Sequence, residues 1–563
     1  MFNKKTIIII LICLLPAVTF FAFLPSLRNG FTNYDDDLYV TGNKLITDIS
    51  LPNINRIFTS FQLGLYKPLV MLSFAMEYHF FQLNPFVYHL TNLILHLMNC
   101  LLAFWMIYLL CGSAGVAFIT ALLFGIHPLH VESVAWITER KDVFYSFFFL
   151  WAAICYLYYR KAESRRWYYL SLSAFILSLL AKPVGLVLPF VLLAFDFLQK
   201  RKWYKEALIE KIPFFALSAV FAIINIYGQY FDPNPRPKQP FNLIEGFFTA
   251  NYCIVFYLKK LFWPVKLSCI YSYPEKIGGF FPLQFYLSSG IVIFLAVGLF
   301  LLRKYNRKII FGSLFFLITL LPALQIVPIF VGIAADRYTY IPYIGIFYIF
   351  GEGFSWLYRR EFRFSILFKA VIIAGLISII SILSFLAFNR TKVWKDSFTL
   401  WNNVSENYPK EPYAYYSRGL LYLKEDNPDL ALSEFDRALK LKPDFIEARL
   451  NRAVIYSGQG AFDRAILEYS FIIKFNPRCF EAYNNRGNIY GRQGKLDQAM
   501  ADFSAAIKIN PWYANSYYNR AITYLSKKEY KKSLEDFHKA ELFGVQVDRA
   551  LIEDVTRASS EQN

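Results

Sequence analysis

A run of carboxylates, Asp35-Asp36-Asp37, follows the aromatic Tyr34 soon after the first apolar stretch of the chain. Adjacent carboxylates at a lipid–water boundary could supply a general base or the oxygen ligands of a hard cation. The alternative is an acidic turn that is simply solvated. Position alone leaves both interpretations open.

A second polar group is rich in histidine, since four of the six histidines lie between positions 89 and 130. Three polar residues recur at helical spacing and should share one face of an apolar helix: His89, Asn92 and His96. A further group has the spacing of a weak zinc motif: His127, His130 and Glu132. Hydrogen-bonded packing between helices is the alternative, and a divalent metal stays an open question.

Three basic residues stand at expected outer membrane boundaries, where the distribution of charge in membrane proteins disfavours them. Lys67 precedes Pro68, Lys182 precedes Pro183, and Arg337 follows Asp336. A phosphate-bearing lipid head group would explain such cations, because Arg binds phosphate by bidentate hydrogen bonds and Lys by charge. Snorkelling to ordinary lipid phosphates is the alternative for each.

The composition is that of a membrane protein. Of 563 residues, 56% are hydrophobic and 19% aromatic, and a soluble protein with 58 Phe and 40 Tyr would expose large apolar patches. The net charge of +18 comes from short basic groups between apolar runs, which indicates cytoplasmic loops rather than a nucleic-acid surface. The seven cysteines form no CxxC pair, and several lie inside apolar runs as small hydrophobic residues.

Eleven apolar segments are predicted to cross the membrane. They are residues 7–24, 86–110, 114–130, 142–159, 167–181, 183–198, 212–229, 284–302, 310–330, 339–357 and 370–388. The stretch 247–262 ends in Lys259, Lys260 and Trp263 and is predicted to be an interfacial helix.

The basic groups set the expected orientation. If the clusters at 160–166, 200–205, 303–308 and 359–363 are all cytoplasmic, eleven crossings place the N-terminus inside and the C-terminus outside. The long loops 25–85 and 230–283 and everything after about 389 then share the outer face. A polar site is therefore expected on that face.

The C-terminal third repeats every 34 residues. Prolines recur at Pro409, Pro443, Pro477 and Pro511; arginines recur at Arg418, Arg452, Arg486 and Arg520. Small residues at fixed positions let two antiparallel helices approach closely, which is the tetratricopeptide pattern. We expect a membrane domain over 1–390, repeats over 391–545 that begin with a half-repeat at 391–409, and a tail over 546–563. The concave surface of such an array typically holds an extended peptide or a partner helix.

The order of motifs along the whole chain resembles the transmembrane-and-tetratricopeptide proteins of the GT-C glycosyltransferase superfamily, relatives of protein O-mannosyltransferases. The motifs are YDDD, YKPL, HLTNLILH, HPLHVESVAWITERKD, AKP and ADRYTYIP, followed by the repeats. The resemblance implies an all-α polytopic GT-C fold and a polyprenyl-phosphate sugar donor. It also implies that the sugar is transferred to an acceptor on the outer face, and a protein hydroxyl is the expected acceptor.

Carried over from the family, the acidic pair is the catalytic motif, so Asp35 or Asp36 would be the base. Asp37 departs from the usual pattern and leaves the choice between them open. Four cations are candidates for stabilising the leaving phosphate: Arg337, Lys182, Arg140 and Lys67. Direct displacement with a single base would invert the anomeric carbon. The residues expected to line the site are Tyr34, Asp37, His89, Asn92, His127, His130, Glu132 and Asp336.

Two rival functions remain. A non-catalytic scaffold would need only one or two spans to anchor the repeats, whereas a lipid-linked sugar transporter should show internal duplication. The scaffold would not need the buried histidines and outer arginines, and the sequence shows no convincing two-fold repeat of the kind expected for a transporter. A bacterial inner membrane is expected, because the last residues Glu561-Gln562-Asn563 are not a retention signal for the endoplasmic reticulum.

Overall fold

The computed structural model describes residues 3–201, 205–230, 242–274, 276–304, 306–326, 332–360 and 365–561. It is helical almost throughout and divides into two compact units, Met1–Asn407 and Tyr408–Asn563. The expected boundary was at 390/391. The structure places the half-repeat segment 391–407 with the membrane unit instead, because this segment forms hydrogen bonds with the acidic loop.

The first unit contains helices joined by short turns. They are α1 Lys4–Phe23, α2 Leu51–Thr59, α3 Pro68–Phe81, α4 Pro85–Cys111, α5 Ala114–Ile126, α6 Val131–Ala135, α7 Arg140–Ala162, α8 Arg165–Ala181, α9 Leu188–Leu198, α10 Lys205–Ile209, α11 Ile212–Tyr230, α12 Leu243–Phe262, α13 Leu283–Leu302, α14 Arg307–Leu320, α15 Tyr343–Arg359, α16 Ser365–Lys392 and α17 Ser397–Asn407. Two short strands, β1 Tyr271–Ser272 and β2 Gly332–Ala334, pair antiparallel.

All eleven apolar segments are mainly helical where the structure describes them, with non-helical residues at 127, 324–326 and 340–342. Residues 327–330 of the ninth segment, and Lys202 and Arg363 of the basic clusters, lie outside the described residues. Among the described residues, six helical stretches are long and apolar enough to cross a membrane: Lys5–Arg28, Pro85–Cys111, Ile137–Ala162, Lys205–Tyr230, Leu283–Leu302 and Ile366–Lys392. A seventh results if Ala114–Ile126 and Pro128–Ala135, bent by 54°, form one span. The chain is thus a multi-pass membrane protein, and eleven crossings stay a prediction.

Close helix contacts depend on small residues. A Cβ at Gly312 of α14 would lie 2.4 Å from the carbonyl oxygen of Gly345 on α15, and a Cβ at Gly345 would lie 2.3 Å from that of Gly312. The two backbones therefore touch, as is common where membrane helices pack tightly. This contact fixes α15, which begins just after Asp336 and Arg337.

The basic clusters meet at one end of the first unit. Arg307 donates to the carbonyl oxygen of Phe197 at 3.2 Å, and Tyr168 donates to that of Glu210 at 2.8 Å. Behind them a buried ion network joins four charged residues: Asp196, Arg201, Glu210 and Lys211. Helix α7 runs from this end to Arg140, and its twenty residues from Arg160 to Arg140 span about 30 Å, the thickness of a bilayer core.

The second unit is a stack of helix pairs. They are α18 Pro412–Lys424, α19 Pro428–Leu441, α20 Ile446–Gly458, α21 Phe462–Phe475, α22 Phe480–Arg492, α23 Leu496–Ile509, α24 Ala514–Ser526, α25 Tyr530–Leu542 and α26 Arg549–Glu561. The last helix lies in the segment expected to be a tail. Its Val555 is buried with Phe537 of α25, so it covers the apolar end of the array.

The arginine repeat has a structural explanation. Each arginine pairs with a carboxylate sixteen residues later on the second helix of its own repeat: Arg418 with Glu434, Arg452 with Glu468, Arg486 with Asp502, and Arg520 with Asp536. These pairs hold the two helices of a repeat in register.

Candidate active site

Asp36 is an anchor of the acidic loop. Its side chain is buried, and its carboxylate accepts from the backbone N–H and hydroxyl of Thr32 at 2.8 and 3.1 Å. It also accepts from the backbone N–H and hydroxyl of Thr138 at 3.0 and 2.5 Å. Burial raises the pKa of Asp36 to about 6, although the hydrogen bonds from Thr138 and Thr32 act in the opposite direction. Both carboxylate oxygens are therefore occupied.

Asp35 has the opposite environment. It is partly exposed, and in the described part of the chain no hydrogen bond or ion pair holds its carboxylate. Its φ is 94°, a conformation that L residues rarely adopt, while its carbonyl oxygen accepts from the N–H groups of Leu38 and Tyr39 at 3.1 Å. Such strained backbone is concentrated at functional sites. Asp37, which follows Asp36, is exposed and accepts from Leu38 N–H at 3.0 Å.

Three cations converge on Glu139 from separate elements. Arg337 lies 3.3 Å from it, Lys141 lies 2.7 Å from it, and Lys182 lies 3.7 Å from it. Arg337 also bonds Glu132 through its guanidinium at 2.5 Å and its backbone N–H at 3.0 Å. Lys182 pairs in addition with Asp142. The site thus brings together a cluster of buried opposite charges beside the acidic loop.

Lys67 differs from these cations. It is 3% exposed, and its Nζ has no hydrogen-bond partner in the described chain. The ammonium lies 3.6 Å from the centre of the Tyr39 ring. Burial and the nearby Lys141 lower the pKa of Lys67 well below its ordinary value, and Asp35 raises it. A buried ammonium without an anion is a ready partner for an incoming phosphate.

Aromatic rings form the wall between the acidic loop and the cations. Tyr34 stacks on Trp136 with 4.6 Å between ring centroids, and its hydroxyl donates to the carbonyl oxygen of Cys269 at 3.0 Å. Lys141 and Arg337 lie 5.2 and 5.5 Å from the Trp136 ring. Tyr34 is thereby fixed on both its face and its hydroxyl, directly before Asp35.

Arg140 stabilises the packing of the helices and, contrary to the expectation from the sequence, does not lie free to bind phosphate. It is fully buried, and its guanidinium bonds the Asn92 side chain at 2.9 Å, Glu77 at 2.5 Å and the Tyr88 carbonyl oxygen at 2.9 Å. Its donors are therefore already engaged. Asn92 in turn donates to the carbonyl oxygen of Trp136 at 3.2 Å, which supports the turn that carries Thr138.

The histidines connect helices and do not gather around a metal. His89 lies 3.3 Å from the Gly30 carbonyl oxygen, His127 3.1 Å from that of Leu261, and His130 2.7 Å from that of Phe124. Glu132, the third residue of the zinc hypothesis, is paired with Arg337. Among the residues that the structure describes, no group of three His, Cys, Asp or Glu side chains could hold a metal ion.

Asp336 lies behind Arg337. Its carboxylate accepts from the Tyr271 hydroxyl at 2.8 Å and lies 3.9 Å from Arg390 at the end of α16. Burial raises the pKa of Asp336 to about 6, against the lowering effect of Arg390 and of the Tyr271 hydrogen bond. Asp336 thus connects the cation-bearing turn to α16.

Several residues of the site had no role assigned from sequence. They are Tyr39, Trp136, Thr138, Glu139, Lys141 and Asp142. The four consecutive charged residues from Glu139 to Asp142 at the start of an apolar helix were a usable signal, because charges at membrane depth are rarely without a role. Thr138 and Tyr39 carried no such signal.

Comparison with known proteins agrees with this architecture. Family models described as Tetratricopeptide repeat match residues 480–513, 399–444 and 416–470. Human protein O-mannosyl-transferase TMTC1 is 24% identical over 450 residues, covering 69% of this chain and 49% of that protein. The chain is similar in sequence to proteins named protein O-mannosyl-transferase. Protein O-mannosyl-transferase Tmtc3 of Drosophila melanogaster is likewise 24% identical, with 69% and 49% covered.

Human protein O-mannosyl-transferase TMTC2 is 38% identical over 105 residues, 18% of this chain and 13% of that protein. The chain therefore spans about half the length of the curated O-mannosyl-transferases that match most of it. Among solved structures, the tetratricopeptide protein YrrB is 21% identical and covers 33% of this chain and 92% of its own, at a TM-score of 0.25. A likeness at that score carries no weight.

Proposed function

We propose that the chain is an integral membrane, inverting GT-C glycosyltransferase. It moves a sugar from a polyprenyl-phosphate-linked donor to a hydroxyl group of an acceptor protein on the extracytoplasmic face. Asp35 is the general base, and Asp36 holds the loop that presents it. The repeats bind the acceptor and raise its effective concentration at the site.

The contrast between Asp35 and Asp36 carries this proposal. A general base must reach the proton it removes and must have a free lone pair to accept it. Asp36 has neither, because four hydrogen bonds surround its buried carboxylate. Asp35 is accessible and stands on a strained backbone beside the unpaired cation Lys67. The choice between the two carboxylates therefore falls on Asp35.

The leaving phosphate is assigned to Lys67, Lys182 and Arg337. Departure of a polyprenyl phosphate needs charge stabilisation, which preorganised cations in a water-poor site supply. Among the described residues Lys67 has no hydrogen-bond or salt-bridge partner, whereas Lys182 and Arg337 are held in place by Asp142 and Glu132. One base and no carboxylate nucleophile make the displacement a single inverting step.

The scaffold alternative does not account for the buried charges. Burying an ammonium without an anion costs free energy and contributes nothing to anchoring a repeat array. The same holds for the strained backbone at Asp35. Both features are expected where binding and catalysis offset their cost.

The test compares Asp35→Asn, Asp36→Asn and the matched control Asp37→Asn in native membranes. Transfer from radiolabelled polyprenyl-phosphate mannose to endogenous proteins is measured at equal expression. We expect no transfer for Asp35→Asn, reduced transfer for Asp36→Asn, and near wild-type transfer for Asp37→Asn, whose side chain is exposed. Full labelling with Asp35→Asn would exclude it as the base. Absence of labelling by the wild type with any polyprenyl-phosphate sugar would favour the scaffold.

A further inference from the structure

The acidic loop is held in place by residues near the C-terminal end of the membrane unit. The end of α16 and the segment that follows it make four hydrogen bonds to residues 29–33. They join Asn29 Nδ2 to the Thr391 carbonyl oxygen (3.0 Å), Gly30 N–H to that of Lys395 (2.8 Å), Asn33 N–H to Ser397 Oγ (2.9 Å) and Trp401 Nε1 to Asn33 Oδ1 (2.7 Å). The last of these ends two residues before Asp35.

The same segment completes the aromatic wall. The edge of Trp401 meets Tyr34 with 5.4 Å between ring centroids, and Trp394 stacks on Trp136 at 5.6 Å. Both tryptophans of the segment are buried, at 2% and 0% exposure. Tyr34 is therefore enclosed between Trp136 and Trp401, so that the backbone leading into Asp35 has little freedom.

Helix α17 also reaches the cationic side. Asn403 accepts a hydrogen bond from the Arg390 guanidinium at 2.8 Å, and Arg390 faces Asp336 at 3.9 Å. Asp336 precedes Arg337 in the chain. One short helix thus contacts the loop of the base through Trp401, and through Asn403 it bonds Arg390, the residue that faces the turn of Arg337.

We propose that α17 is a clamp that sets the position of Asp35 relative to the cations, with Trp401 and Asn33 as its positioning residues. This inference rests on the proposed function. Neither residue contacts a reacting atom; they act through the backbone of Tyr34 and Asp35. Loosening the clamp should slow the chemical step and leave donor binding intact, since small misplacements of a base cost up to about 10²-fold in rate.

The test uses Trp401→Phe, which keeps the aromatic ring and removes the N–H donor, in the full chain. The matched control is Trp105→Phe, because Trp105 donates a similar 2.9 Å hydrogen bond to Tyr158 near the end of α4 that lies away from the acidic loop. We expect Trp401→Phe to lower kcat by about 10- to 100-fold with donor KM within about twofold of wild type. The control should change neither. Asn33→Ala should lower kcat similarly, and the double variant should be no worse than either single one.

Hydrogen exchange of residues 31–41 supplies a readout that does not depend on activity. Trp401→Phe should speed exchange there by about tenfold or more, and Trp105→Phe should not. Exchange and kcat equal to those of the control would overturn the clamp. If Asp35→Asn is inactive while Trp401→Phe is unaffected, the clamp alone fails. If the wild type transfers no sugar, the transferase fails and the exchange result still decides the clamp.

Discussion

At the scale of single residues, Asp35 and Asp36 are neighbours in sequence with opposite surroundings. Four hydrogen bonds fix the Asp36 carboxylate within the fold. In the described part of the chain the Asp35 carboxylate has no such bonds, so it is available for chemistry. The same chemical change at the two positions should therefore have different consequences.

Asp36→Asn should lower the free energy of unfolding by about 1–3 kcal/mol, because its amide N–H₂ would face a backbone N–H and leave that donor unpaired. Asp35→Asn should leave it unchanged. Thermal unfolding of the purified protein in detergent measures both. Equal losses for the two variants would contradict the assignment of Asp36 as the anchor.

The raised pKa of Asp36 adds a pH dependence. The folded protein binds this proton more tightly than the unfolded chain, so the contribution of Asp36 to stability falls as the pH rises from 3.8 to about 6. The variant Asp36→Asn lacks this pH-dependent contribution to stability. The difference in Tm between wild type and variant should shrink across that interval and stay constant above it. A difference that grows would show that the pKa is lowered instead.

Lys67 gives a pH dependence of donor binding. Because its pKa is lowered by burial, the ammonium loses its charge at a lower pH than an exposed lysine does. Donor KM should therefore rise with pH in the wild type and stay flatter in Lys67→Arg, which keeps its charge. Lys67→Met should show a high KM at every pH. Steady-state kinetics between neutral and alkaline pH would measure this, and identical profiles for wild type and Lys67→Arg would exclude the role.

At this scale, the sequence was a better guide to which residues lie near the site than to the role of each one. Asp35, Lys67, Lys182 and Arg337 are brought near one another as the motifs suggested. Arg140 was misassigned, because its partners lie on α3 and α4 and no pattern in the sequence shows that they meet it. Long-range partners of this kind depend on the tertiary packing.

At the scale of elements, the repeat array shows how the packing of a neighbouring helix decides which residue type a helix position can hold. Gly487 of α22 lies under the Phe503 ring of α23, where an added Cβ would be 2.8 Å from a ring carbon. Gly491 of the same helix has no heavy atom within 4 Å of such a Cβ. The two glycines therefore differ in packing and share their backbone conformation.

Gly487→Ala should destabilise the array by about 1–3 kcal/mol through overpacking. Gly491→Ala should stabilise it by roughly 0.5–1 kcal/mol, because alanine loses less entropy in a helix. Hydrogen exchange of α22 and α23 in the full chain measures both changes. Stabilisation by both substitutions would show that the helices are more loosely packed than the structure has them.

The elements themselves were largely predictable. Apolar runs and the 34-residue period fix where helices lie, because both reflect local burial. Helix α26 was missed, since its sequence Arg549–Glu561 is mostly polar and only Val555 is fully buried. The allocation of α17 to the membrane unit was also missed, because it depends on contacts with residues more than 360 positions away.

At the scale of the whole molecule, the charges of the membrane unit are separated along α7. At the Arg160 end, Tyr159 and Arg201 both contact Glu210, and Arg307 donates to the carbonyl oxygen of Phe197. The acidic loop and its cations lie around the Arg140 end. The positive-inside rule favours a cytoplasmic position for the first end, so we propose that the site faces the outside.

A cysteine-labelling experiment tests this orientation. In a variant without the native cysteines, Asn515→Cys in the array should react with a membrane-impermeant maleimide in intact cells, and Arg166→Cys should react only after lysis. Both positions are exposed, so accessibility within the protein is matched. The reverse labelling would place the site and the repeats in the cytoplasm.

The bonds between the acidic loop and the segment before the repeats also have a consequence for biosynthesis. They join residues 362 to 368 positions apart. At a synthesis rate of 5–20 residues per second, the loop waits roughly 20–70 s after it leaves the ribosome before its partners exist. Nascent chains that stop before Trp401 would insert into the membrane without the clamp that sets the position of Asp35. Competence to transfer sugar would then arise only at the completion of the membrane unit, which would keep unfinished chains from modifying their surroundings.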